Sequence, residues 1–261
     1  MGTTTTSDGA TISYDTIGEG RPLVLVHGIT ESRSSWGSLP ESFADHGYRV
    51  TSLDLRGHGA SSRTAPYDLA TMAGDLGAVL ADLAAPDALL VGHSLGGAVV
   101  SAYAAGGPCR AVVNVDQPLQ LAGFQSALQQ LEPLLRGTDD EFQQAIGMVF
   151  AQMAGPLAGA ERDRIDGLRR GEQDVVLGVW EAVLSSSADD LNALVDGLVG
   201  QVTVPYLSLH GIDPGAEYGE WLTGKVSSAT FEVWPDLGHY PHLIEPAKFV
   251  NRITLFDTEA R

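Results

Sequence analysis

The chain has 261 residues, 44% of them hydrophobic and 18% charged, which is enough to bury the core of one α/β domain and unlike a disordered chain. A formal net charge of −18 argues against nucleic acid and anionic membranes as partners, and solubility is the simplest reading of so acidic a surface. One cysteine, Cys109, leaves no intrachain disulfide; no run reaches the ~18 apolar residues of a membrane span, and Met1 to Ser7 carry no signal-peptide pattern, so a cytoplasmic location is expected.

Residues 10–17 alternate (Ala10, Ile12, Tyr14) and predict an early strand, followed by a turn at Gly18-Glu19-Gly20. Leu23-Val24-Leu25-Val26 is a continuous apolar run of the kind that a strand buried on both faces shows, and it runs into His27-Gly28-Ile29-Thr30. A helix is predicted over 36–46, with Trp36, Leu39 and Phe43 on one side, and a strand over 48–53 leading into Asp54-Leu55-Arg56-Gly57-His58-Gly59. The apolar spacing of Leu69, Met72, Leu76, Val79, Leu80 and Leu83 predicts a helix over 68–84. Strand 88–91, a serine turn, helix 98–105 and strand 110–115 follow. From 118 to 198 no strand pattern occurs and the apolar residues fall at helical spacing, so this stretch reads as a helical cap inserted into a core made of 1–117 and 199–261. Strands over 202–209 and 229–234 and a helix over 246–256 complete the core. Strands alternating with helices imply an α/β fold, a mainly parallel sheet with helices on both faces.

The serine turn is Gly92-His93-Ser94-Leu95-Gly96-Gly97. Small residues two before and two after Ser94 let the chain reverse sharply from strand to helix, which lifts the hydroxyl clear of the sheet. The helix that begins at Leu95 offers unpaired N–H groups to a developing oxyanion. Active groups of an open parallel sheet gather at the carboxyl ends of its strands. There the sequence puts His27-Gly28-Ile29, Asp54, Ser94, Asp116, Asp213 and His239. A serine needs a base within hydrogen-bond reach, and His239, in the loop after the last strand, is the best placed of the histidines. His93 is expected to pack beneath the turn, His27 to shape its loop through hydrogen bonds, His58 and Asp54 to be structural, and His242 to orient its loop or meet substrate. Two aspartates compete for the role of acid, Asp213 after the penultimate strand and Asp116 after the strand that follows the serine helix; both give the chain order Ser, Asp, His.

On the His27-Gly28 pair with Trp36 downstream, Asp54-Leu55-Arg56-Gly57-His58-Gly59-Ala60-Ser61, Gly92-His93-Ser94-Leu95-Gly96-Gly97 and Gly238-His239-Tyr240-Pro241-His242, the chain resembles the α/β-hydrolase fold family over nearly its whole length. The resemblance implies Ser94 as nucleophile, His239 as base, an oxyanion hole from the backbone N–H groups of Ile29 and Leu95, and an acid where Asp213 lies. One departure matters: the family commonly has two residues between glycine and aspartate after the penultimate strand, and here Ile212 alone separates Gly211 from Asp213. Some members carry the acid where Asp116 lies.

The serine at the turn argues against the epoxide hydrolases and haloalkane dehalogenases of this fold, which use aspartate there. The reading that remains is hydrolysis of a small or medium carboxylic ester through an acyl-enzyme on Ser94. A lactonase, a carbon–carbon bond hydrolase and a cofactor-free haloperoxidase-like enzyme use the same three groups, and a non-catalytic small-molecule receptor is the alternative of a different class. Neither a metal nor a cofactor is expected, because no His-Glu-x-x-His, Cys-x-x-Cys or phosphate-binding glycine motif occurs.

Overall fold

The computed structural model describes residues 1–260. Among them one sheet joins β1 (Gly2–Thr5), β2 (Thr11–Ile17), β3 (Arg21–Val26), β4 (Tyr48–Leu53), β5 (Leu89–His93), β6 (Ala111–Val115), β7 (Tyr206–His210) and β8 (Ala229–Val233) in the order β1-β2-β4-β3-β5-β6-β7-β8. Pairing is antiparallel between β1 and β2 and between β2 and β4, and parallel from β4 onward. The helices of the core are α1 (Leu39–Asp45), α2 (Leu69–Asp82), α3 (Leu95–Ala104), then α9 (Ala216–Lys225), α10 (Pro241–Ile244) and α11 (Pro246–Glu259). Between β6 and β7 run α4 (Ala122–Leu135), α5 (Asp139–Met153), α6 (Gly159–Leu168), α7 (Gln173–Ser185) and α8 (Ala188–Val199).

The continuous apolar runs are explained by two cores, one on each face of the sheet. Leu23 and Leu25 of β3, Leu89 and Val91 of β5, Val113 of β6 and Leu207 of β7 point to one face, where Leu39 and Phe43 of α1 and Phe249, Val250 and Ile253 of α11 cover them. Their neighbours Val24, Val26, Leu90 and Val112 point to the other, under α2 (Met72, Leu76, Val79), α3 (Val99, Val100) and α9 (Tyr218, Leu222). A strand with helices on both sides has no polar face, so its sequence does not alternate.

Two elements escape the hydrophobic pattern. The edge strand β1 is a threonine run that buries almost nothing, so β-branching is its only signal. Helix α9 carries Gly219 and Gly224 among its residues, which blurs a helical period still present in Tyr218 and Leu222. Helix α3 begins at Leu95, immediately after the serine, as the serine turn requires; the apolar pattern marks only its body from 98, because Gly96 and Gly97 sit in its first turn.

The parallel register brings the strand ends to one edge: Val26 pairs with Gly92, His93 with Val115, and Val115 with Leu209. Strand β3 lies between β4 and β5, so the chain order reverses across it, and the crevice of an open α/β sheet opens at such a point. Close packing there depends on Gly92 and Gly96. A Cβ on Gly92 would lie 2.1 Å from Gly96 O, and one on Gly96 would lie 2.0 Å from Val26 O. Both obstacles are backbone and cannot swing aside. Gly96→Ala is therefore expected to lower the stability to unfolding by roughly 3 kcal/mol, the upper end of overpacking costs. An unchanged urea midpoint in that variant would contradict this packing.

Candidate active site

Ser94 follows the last residue of β5 and precedes the first of α3, with φ +52° and ψ −123°. A non-glycine residue in this region is strained by about 1–3 kcal/mol and holds only where its surroundings fix it. Here Ser94 N–H donates to Val115 O at 2.9 Å, and Gly97 N–H donates back to Ser94 O at 2.7 Å. The residue is buried, at 8% exposure. The loop that carries Ile29 passes against it: a Cβ on Gly28 would sit 3.2 Å from Ser94 Cβ. Thr30 also has positive φ, 64°, and its N–H donates to His58 Nε2 at 3.2 Å while its carbonyl accepts from Arg170 N–H at 2.7 Å. Ile29 and Leu95 thus lie on the two segments that flank Ser94.

His239 is buried in the loop after β8. Its Nδ1–H donates to Asp116 Oδ2 at 2.6 Å. Its Nε2 is buried and finds no hydrogen-bond partner among the described residues. A buried polar atom left alone calls for an explanation, and with the proton on Nδ1 this nitrogen holds a lone pair. Burial pushes the His239 imidazole below the ordinary histidine value, against the opposing pull of the Asp116 hydrogen bond, so the free base prevails at neutral pH. Burial works to raise the Asp116 carboxyl, but the hydrogen bonds from His239 and from Ile212 N–H outweigh it and hold it low.

Asp213, the acid that the resemblance favours, is not the one that meets His239. It is exposed, and its Oδ1 accepts Gly215 N–H at 2.9 Å in its own turn. The single residue between Gly211 and Asp213 explains why. Gly211 N–H and Ile212 N–H both donate to Asp116 Oδ1, at 2.7 and 2.9 Å, so the start of the loop is wrapped around the other aspartate. Gly211 is also packed against the base loop, where a Cβ would lie 2.1 Å from Gly238 O. Asp213 follows only after the chain has turned outward. Asp116, the competing acid, has φ +52°, a second strained residue one strand over from Ser94.

The remaining histidines of the edge have assignable hydrogens. His27 Nδ1–H donates to Gly28 O at 2.7 Å, and its Nε2 accepts Leu55 N–H at 3.0 Å. His58 Nδ1–H donates to Arg56 O at 2.9 Å. His93 lies beneath the turn with Nε2–H donating to His239 O at 2.8 Å, and its ring is 4.6 Å from that of His239 and 4.5 Å from that of His242. Asp54 is structural, accepting from Arg33 N–H at 2.7 Å and Ala60 N–H at 2.8 Å. Two participants carried no sequence signal. Glu31 is a buried carboxylate four residues after His27, and His210 ends β7 with Nδ1 3.9 Å from Asp116 Oδ1. No cluster of three or more candidate ligands for a metal occurs among the described residues.

A family model described as the alpha/beta hydrolase family matches residues 23–252. A non-heme haloperoxidase of Rhodococcus erythropolis is 31% identical over 90% of this chain and 91% of its own. Among solved structures, the esterase RhEst1 from Rhodococcus sp. ECU1013 superposes with a TM-score of 0.76 at 27% identity, covering 100% of this chain and 99% of that one. The esterase EaEST from Exiguobacterium antarcticum superposes with a TM-score of 0.81 at 20% identity, over 99% and 100% of the two chains, a likeness of fold.

The buried neutral histidines set an acid limit. Burial holds His58 at about 3 and His210 at about 4, and His242 well below its ordinary value. The unfolded chain binds these protons near pH 6.5 and the folded one does not, so stability is full above that pH and falls as pH drops below it. For His58 and His210 the loss between pH 7 and pH 5 is about 2 kcal/mol each. Urea midpoints at the two pH values are expected to differ accordingly; equal midpoints would mean that these rings are not held neutral.

Proposed function

This chain belongs to the alpha/beta hydrolase family, and from that premise we propose that it hydrolyses small or medium carboxylic esters, with Ser94 as nucleophile, His239 as base and Asp116 as acid. The observation that carries the reading is the His239–Asp116 hydrogen bond of 2.6 Å together with the unpartnered Nε2 on the same ring. It is the arrangement a serine hydroxyl needs before it becomes a nucleophile at neutral pH.

In this mechanism Ser94 Oγ attacks the ester carbonyl carbon and its proton passes to His239 Nε2. The tetrahedral oxyanion is held by the N–H groups of Ile29 and Leu95. Collapse expels the alcohol, which takes the proton from Nε2, and leaves an acyl group on Ser94. Water then gives a proton to the same nitrogen as it attacks the acyl carbon, and collapse of the second tetrahedral intermediate breaks the bond to Ser94 Oγ, which takes the proton back from Nε2 as the carboxylic acid leaves. Asp116 keeps the proton on Nδ1 throughout and stabilises the transient imidazolium.

Residues 118–198 act in this reading as the cap. Met153 O, at the end of α5, accepts His239 N–H at 2.8 Å, so the insertion touches the base loop itself. A cavity of about 60 Å³ lies where the insertion meets α2 and α3, and Leu69, Leu119, Leu121, Val195, Leu198 and Val199 line it. Ala98, Gln117 and Pro118 line it as well, and neither Ser94 nor His239 does. Ser94, His239 and Asp116 would equally open a lactone. A haloperoxidase-like activity is the second reading, favoured by the relative of that name in Rhodococcus erythropolis.

Pre-steady-state release of p-nitrophenol from esters of graded acyl length tests the proposal. A burst equal to the enzyme concentration is expected, and the acyl length that gives the fastest burst sizes the acyl site. Ser94→Ala and His239→Ala should each lower kcat by on the order of 10⁴-fold, with no further loss when combined. Asp116→Asn should cost about 10³- to 10⁴-fold and Asp213→Asn less than about twofold; the reverse order would return the acid to Asp213. The acid limb of kcat/KM should fall at a pH below the ordinary histidine value of about 6.5, because His239 must lose its proton to act and burial moves its pKa downward.

A further inference from the structure

Glu31 is 4% exposed, and among the described residues no lysine or arginine sits directly on its carboxylate. Its Oε1 accepts the hydroxyl of Tyr240 at 2.8 Å, its Oε2 accepts Gly28 N–H at 3.3 Å, and the same oxygen faces His93 Nδ1 at 3.6 Å. Each of these neighbours adjoins a member of the site. Gly28 precedes Ile29, His93 precedes Ser94, and Tyr240 follows His239. The Tyr240 hydroxyl in turn accepts from Arg169 Nη2 at 2.7 Å, at the end of α6. His93 closes the circuit, since its Nε2–H donates to His239 O.

We propose that Glu31 is a positioning residue of the catalytic site: one buried carboxylate, accepting from the oxyanion loop and from the residue after the base, and facing the residue before the nucleophile, sets the mutual registry of Ser94, His239 and Ile29, and through Tyr240 and Arg169 ties that registry to the inserted helices. The inference rests on the assignment of Ser94 and His239 given above. The chemistry of the neighbours requires an acceptor-only group. Gly28 and Tyr240 both present hydrogens to the carboxylate, and a residue that carried its own hydrogens would meet donors with a donor. Burial works to raise the Glu31 carboxyl, but His93 and the Tyr240 hydroxyl hold it well below the ordinary carboxylate range, so it stays ionised at neutral pH.

Hydrogen-bond networks that share one acceptor fail as a unit, so losses within them do not add. A misplacement of about 1 Å between reacting groups is enough to cost on the order of 100-fold in rate. Glu31→Gln keeps the shape and puts an amide N–H into the cluster. It is expected to lower kcat on p-nitrophenyl esters roughly 30- to 100-fold with KM changed less than about twofold. Tyr240→Phe should lower kcat roughly fivefold, and the double variant should be no slower than Glu31→Gln alone. The second readout is independent of any substrate. The low-field proton resonance of His239 Nδ1–H, assigned by its disappearance in Asp116→Asn, should be sharp in the unaltered protein and broadened or lost in Glu31→Gln. A kcat within twofold of the parent, a rise in KM alone, additive losses in the double variant, or an unchanged resonance in Glu31→Gln would each overturn the proposal. If the unaltered protein turns over no ester, the esterase reading fails, and the resonance still decides whether Glu31 positions His239.

Discussion

A carboxylate that orients a histidine must itself be prevented from turning. Asp116 meets that requirement by splitting its two oxygens between two tasks. Oδ2 takes the His239 proton, and Oδ1 takes the N–H groups of Gly211 and Ile212. The second set of bonds forces the loop after β7 to curl around the aspartate, and Gly211 then packs against Gly238 of the base loop. The ends of β6, β7 and β8 are in this way closed around one side chain. The cost is a strained backbone at Asp116, and a similar strain at Ser94 lies on the adjacent strand. Residues in such conformations persist because the parallel register already fixes the strand ends on either side of them, with His93 paired to Val115 and Val115 to Leu209.

Much of this was legible in the sequence, because it rests on local patterns. The double-faced strands declare themselves as unbroken apolar runs, and Ser94 declares itself through glycines whose Cβ positions are occupied by backbone. His239 stands in a glycine-marked loop after the last strand. The carboxylate that pairs with His239 was harder. Asp116 and Asp213 follow neighbouring strands of the same sheet, and the choice between them turns on where a loop of a few residues points. Its one clue was the missing residue between Gly211 and Asp213. Glu31 left no trace at all. A glutamate in a loop reads as solvated, and its burial is produced by Tyr240 and His93, which are distant in the chain and brought to it only by the fold.

The inserted helices are bound to the catalytic edge by main-chain as well as side-chain contacts. Met153 O meets His239 N–H, Arg170 N–H meets Thr30 O, and Gly155 approaches Gly238 so closely that a Cβ on Gly155 would lie 2.6 Å from Gly238 Cα. Arg164 adds Nη2–H to Ser35 O at 2.9 Å beside the short turn Arg33–Trp36. The contacts fall on the loops of Ile29 and His239 alike. Any displacement of the insertion would therefore be felt by the loop of Ile29 and by that of His239 together, rather than merely opening a path to solvent.

This coupling explains a contrast in the distribution of charge. The surface carries most of the −18, where water screens it and each added charge costs little. The carboxylates at the catalytic edge are treated differently: Glu31, Asp54 and Asp116 are each buried and each fully engaged by donors from several loops. A buried carboxylate without donors would take up a proton and lose its grip on the loops it holds. The neutral histidines complement them. His27 and His58 each donate from Nδ1 to a carbonyl and accept a backbone N–H at Nε2, so these rings brace the loops without adding charge near Ser94. In the proposed mechanism the ring that changes charge is His239, and it is surrounded by dipoles and carboxylates whose positions are already fixed, which is the condition under which an imidazolium can form and vanish without the protein having to rearrange.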